Sequence, residues 1–80
     1  MLHISKESKQ RPEEILKAAV AHFGPDGVGL TIDQRNVGAI HFSGAGGYVL
    51  VQVAPLDDGA EVDVQTQEFE YDAKEFLQKV

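Results

Sequence analysis

The residues whose types invite a chemical reading are three histidines and a run of carboxylates, and the chain has no cysteine to act as a thiolate nucleophile. His41 has Ser43 two residues on and Tyr48 across a glycine-rich turn. A general base needs an oriented imidazole beside a hydroxyl or an acid. The acid on the same side of the chain's alternation, Asp63, falls two strands away with one strand interposed, and no sheltered pocket is implied. The expectation is therefore no catalytic residue. His22 lies at the end of a helical stretch, where a favourable dipole interaction explains it. His3, His22 and His41 lack the spacing of a metal site.

Two other motifs invite a chemical reading. Gly44-Ala45-Gly46-Gly47 has the composition of a phosphate loop, but such loops open a helix, and here both flanks read as strands. The acids Asp57, Asp58, Glu61, Asp63, Glu68, Glu70 and Asp72 follow one another with no Lys or Arg among them. They lack the fixed oxygen spacing and central glycine of a calcium loop, so a solvated acidic edge is expected. No metal and no cofactor is predicted.

Charge narrows the partners. The formal charge is −6, and the one basic cluster is Lys6, Lys9 and Arg11 ahead of the first helix. Nucleic-acid affinity comes from neutralising phosphates with clustered cations, so no nucleic-acid partner is predicted. The N-terminus lacks the apolar run of a signal peptide, and no stretch approaches the ~20 apolar residues of a membrane span. A cytoplasmic protein with no membrane partner is the expectation. The chain's 80 residues predict one domain, 1–80, with residues 1–11 as a mobile arm or a short edge strand at Leu2–Ile4.

The elements that would position these residues follow from periodicity. Pro12 suits the first helical position, Glu13 and Glu14 suit the first turn, and Gly24-Pro25 is a stop signal. Ile15, Leu16, Ala19, Val20 and Phe23 make one stripe between them. Arg11 is a poor N-cap. Four alternating segments follow, Val28–Asp33, Val37–Ser43, Tyr48–Ala54 and Glu61–Gln67. Gln34-Arg35-Asn36 would close the first hairpin and set Asp33 opposite Val37. The glycine loop would pair Ser43 with Tyr48, Phe42 with Val49, His41 with Leu50 and Ile40 with Val51. Pro55 to Ala60 would turn the third hairpin, with Val53 facing Val62 and Val51 facing Val64. Phe69, Ala73, Phe76, Leu77 and Val80 mark a final helix, with Glu70 before Lys74 and Glu75 before Lys79 as i, i+4 pairs.

The predicted fold class is α+β: (β)-α-β-β-β-β-α, a four-stranded antiparallel meander with two helices on one face. In this order of elements the whole chain resembles the TATA-binding-protein-like group of folds. In reduced form it also resembles the helix-grip proteins of the START and Bet v 1 type. No family motif carries over residue by residue. The helix-grip resemblance implies a small apolar ligand between the final helix and the sheet, near Phe42, Tyr48, Val51, Phe69 and Phe76. Those proteins have a longer sheet and a long last helix over a cavity, whereas this chain offers four long strands and about three helical turns. Four strands ~4.8 Å apart span roughly 15–20 Å, which two helices ~10 Å apart cover. The inner positions Val28, Leu30, Ile32, Ile40, Phe42, Val49, Val51, Val53, Val62 and Val64 would then fill the core.

That leaves the outer face. Its middle is unusually soft for a solvated sheet, and Ala39, His41, Tyr48, Leu50 and Gln52 are the candidate partner-binding residues. The leading expectation is a non-catalytic interaction module, with a homodimer or a protein partner on this face. The alternative is the miniature ligand carrier.

Overall fold

A computed structural model describes all 80 residues. The order is β1 (Leu2–Ser8), α1 (Pro12–Phe23), β2 (Thr31–Asn36), β3 (Ala39–Gly44), β4 (Gly47–Leu56), β5 (Gly59–Gln67) and α2 (Glu70–Lys79). The five strands form one antiparallel sheet in the order β1-β5-β4-β3-β2. β4 is thus central, β1 and β2 are the edges, and α1 carries the chain from one edge to the other. No helix is long and apolar enough to cross a membrane.

The sheet has five strands where four were expected, and the added one is the N-terminal segment. β1 pairs with β5 along its whole length, from Leu2 opposite Thr66 to Ser8 opposite Ala60. Its inward positions are Leu2, Ile4, Lys6 and Ser8, of which only two are apolar, so the alternation that announces a strand fades halfway. Lys6 is there for the helix. Its Nζ donates to the carbonyls of Leu77 at 2.7 Å and Val80 at 2.9 Å, satisfying acceptors that the end of α2 leaves open.

β2 also departs from expectation. It begins at Thr31, and residues 24–30 wind back on α1. The amides of Gly24, Val28 and Leu30 donate to the carbonyls of Val20, His22 and Phe23. Those carbonyls lack helical partners, and supplying them outweighs extending the strand. Val28 is consequently 38% exposed instead of inward. The β2–β3 turn is Val37-Gly38, two residues long, with Asn36 opposite Ala39. Gly38 has φ 85°, the left-handed second position of a type II turn. Val37 stands fully exposed at its tip, outside the sheet. A bulge between Ile32 and Gln34 absorbs the shift and leaves Asp33 without a cross-strand partner.

The remaining registers match the expected pairs. Ser43, Phe42, His41 and Ile40 face Tyr48, Val49, Leu50 and Val51. Val53 and Val51 face Val62 and Val64. The third turn is shorter than expected, Asp57-Asp58, because Pro55 and Leu56 still pair with Ala60 and Gly59.

Both helices cover one face. Ile15, Ala19 and Phe23 of α1 and Ala73, Phe76 and Leu77 of α2 join the inward side chains of the strands in one buried cluster. Phe23 lies at its centre, with ring centroids 5.6 Å from Phe42 and 5.3 Å from Phe76. Ile32 is only half-buried, while Ala60 and Thr66 join the core. Thr66 is tolerated because its Oγ1 donates to the Tyr48 carbonyl at 2.7 Å.

Candidate functional site

The open face of the sheet brings the expected residues together. Cross-strand neighbours are Ala39 with Gln52, His41 with Leu50 and Ser43 with Tyr48 on β3 and β4. β5 continues the surface with Gln67, Gln65 and Asp63 beside Tyr48, Leu50 and Gln52. Ala39, His41, Tyr48 and Leu50 are half-buried with no helix above them, and Gln52 is exposed. The His41 and Tyr48 rings stack, with centroids 5.6 Å apart and planes 18° from parallel. This gives the middle of the face a flat aromatic patch with Leu50 directly beside it. A shallow depression of about 360 Å³ adjoins it, where Ala39 and Gln52 meet Val37 and Gly38.

Charge on this face is confined and one-signed. Asp33, freed by the bulge, accepts from His41 Nδ1 at 3.2 Å. His3 Nε2 lies 3.4 Å from Asp63 Oδ1. Glu7 and Glu61 sit opposite each other on β1 and β5, an unfavourable like-charge pair. No Lys or Arg shares the open side of the sheet, since Lys6 pairs with inward-facing Val62 and Arg35 with inward-facing Ile40. Three acids, Glu7, Glu61 and Asp63, thus lie toward the β1–β5 edge and one, Asp33, on β2, while β3 and β4 carry none.

The Asp33–His41 pair has the orientation of a general-base dyad, with one ring nitrogen held by a carboxylate. Its setting is an open surface, with the two side chains 41% and 37% exposed. Ser43 makes no hydrogen bond to the ring. Sequence spacing pointed to Asp63 as the nearest acid and missed Asp33, whose reach depends on the bulge.

Helix-side space is filled. Phe42, Val51, Phe69 and Phe76 are members of the packed core, and Tyr48 lies on the opposite face of the sheet. The set expected around an apolar ligand thus lines no common space. A groove of about 490 Å³ runs on the outside between α1 and α2 and includes His22, Asp72, Glu75 and Lys79.

His22 does more than end a helix. Its Nε2 is 3.1 Å from the Asp72 carbonyl, and its ring packs edge-on against Phe23 at 4.8 Å. The expected i, i+4 ion pairs of α2 do not close to 4 Å; the Lys79 ammonium lies 3.4 Å from His22 Nδ1, and Glu75 Oε2 accepts from the Tyr71 hydroxyl at 3.3 Å. Residues 50 positions apart meet here, which no local spacing could have signalled.

No family model, curated protein or solved structure matches this chain.

Proposed function

We propose that the protein is a non-catalytic interaction module that associates with a second copy of itself through the open face of its sheet. The observation that supports this most is the neutral, half-buried patch of Ala39, His41, Tyr48 and Leu50, left bare on a domain whose other face carries both helices. Its acidic, cysteine-free composition suits a reducing compartment such as the cytoplasm.

The charge distribution selects the geometry. A two-fold axis lying in the contact plane along β4 sets each copy's β1–β5 edge, with three acids, over its partner's β2–β3 edge, which carries only Asp33, already held by His41. An axis across the strands would oppose acid to acid. The first arrangement puts Leu50 of both copies next to the axis, with Tyr48 and Gln52 flanking it. Five strands ~4.8 Å apart and about 25 Å long bury roughly 1,000 Å² in total between two copies. That is the low end for a specific interface, so the association is transient and micromolar.

Light scattering over a concentration series tests the reading. The wild type should rise from monomer toward dimer, and Leu50→Lys, which sets two ammonium groups at the axis, should stay monomeric with an unchanged circular dichroism spectrum. A wild type that stays monomeric at high micromolar concentration would refute self-association.

A further inference from the structure

Independently of the open face, we propose that His22, Asp72 and Glu75 form a binding site for a divalent transition-metal ion of the zinc type, in the groove between α1 and α2. Each of the three offers one ligand atom, and these atoms lie within 4.8 Å of one another. Asp72 and Glu75 are three residues apart and share a face of α2, while α1 delivers His22 from the far side of the groove.

The imidazole is already set up as a ligand. Phe23 at 4.8 Å and Phe76 at 5.8 Å hold the ring, and Nε2 sits 3.1 Å from the Asp72 carbonyl. A carbonyl can only accept, so Nε2 carries the proton. Nδ1 then bears the lone pair, and the Lys79 ammonium, which can only donate, lies 3.4 Å from it. A ring N–H given to a backbone carbonyl, with the other nitrogen presenting its lone pair, is how ligating histidines are oriented. The lone pair thus already faces a cation. Neither Asp72 nor Glu75 is paired with a lysine or arginine within 4 Å, and Glu75 gives only Oε2 to Tyr71.

Ligand chemistry picks the ion. One imidazole nitrogen and two carboxylate oxygens suit Zn²⁺, whereas Mg²⁺ and Ca²⁺ favour oxygen throughout. Bonds of about 2.0–2.2 Å set donors ~3.3 Å apart around a tetrahedral ion. The side chains must draw in by about 1.5 Å, a change that rotation of half-buried Glu75 and Asp72 supplies. Lys79 must swing out. Water completes the fourth position.

Titration calorimetry and thermal unfolding of the whole chain with zinc chloride test the site. The wild type should bind one ion in the micromolar range, and its unfolding midpoint should rise by roughly 10–20 °C at a hundredfold excess over Kd. Glu75→Gln should weaken binding about tenfold, and His22→Phe, which keeps a ring against Phe23 and Phe76, should abolish it. Lys79→Met should tighten binding at least threefold, because no ammonium then competes for Nδ1. That gain separates this site from the His3–Asp63 and His41–Asp33 pairs, neither of which involves Lys79. The proposal is overturned by no heat and no midpoint shift at 1 mM zinc, by equal binding of Mg²⁺, or by Lys79→Met and Glu75→Gln both binding as the wild type. Those last two side chains lie outside the core, so they decide the matter even if His22→Phe unfolds.

Discussion

Replacing Lys6 with methionine removes a charge from an exposed position on an edge strand, a change that ordinarily moves stability by less than half a kcal/mol. Here the effect should be several times larger. Lys6 Nζ donates to Leu77 at 2.7 Å in a partly buried setting and to Val80 at 2.9 Å in an exposed one. A charge-assisted bond contributes about 1.5–3 kcal/mol when sheltered. Solvent screening reduces the first bond to roughly 1 kcal/mol and the second to a few tenths. The favourable placement of a cation at a helix C-terminus adds about 0.3–0.5 kcal/mol. Methionine keeps the packing of the stem, so Lys6→Met should lower stability by roughly 1.5 kcal/mol. For a domain of this size the unfolding midpoint should fall by about 6–12 °C. Urea unfolding should show the midpoint displaced and the slope unchanged. Hydrogen exchange should quicken in β1 and in the last turn of α2 and stay as before in β3 and β4. A loss below 0.3 kcal/mol would show that the ammonium is merely solvated, and that β1 is held by its ladder with β5 alone.

Two further substitutions probe the core and one turn. Phe23→Ala empties a fully buried site between the rings of Phe42 and Phe76. It should cost about 3–5 kcal/mol of a total near 4–12, seen as loss of most of the cooperative transition in near-ultraviolet dichroism; a loss under 2 kcal/mol would mean that the helices close over the void. Ala45 occupies the first position of the Ala45-Gly46 turn at φ 50°, with Gly46 at φ 82°, the pattern of a type I′ turn that favours asparagine there. Ala45→Asn should therefore raise stability by about 0.5–1 kcal/mol, measured by the thermal midpoint, and an unchanged midpoint would remove the strain assigned to Ala45.

What the sequence disclosed, and what it hid, separates along physical lines. The β3–β4–β5 register was legible because Phe42, Val49, Val51, Val62 and Val64 alternate without interruption, and a one-residue slip would turn all of them outward. β1 was legible only in its first half, as the short edge strand offered at Leu2–Ile4, because Lys6 and Ser8 occupy inward positions for reasons that lie in α2 and in the turn after the strand. The start of β2 was misplaced because Val28, Leu30 and Ile32 alternate like a strand, while the amides around them were needed by the carbonyls of α1. The candidate face was readable in its cross-strand pairs, Ala39 with Gln52 and His41 with Leu50, since these follow from register alone. Its charge pattern was not, because Asp33 reaches His41 only through a bulge. The groove around His22 lay beyond any reading of spacing, for it depends on how α1 and α2 dock across the sheet.

The central claim is that the bare side of the sheet, and not the helical side, meets a second copy. The most direct test is to follow amide chemical shifts on dilution from about 1 mM to 20 μM. Shifts confined to Ala39, His41, Tyr48, Leu50 and Gln52, with Lys17 and Lys74 on the helices unmoved, are the predicted result. Spectra that do not change with concentration, or changes that cluster on α1 and α2, would contradict it.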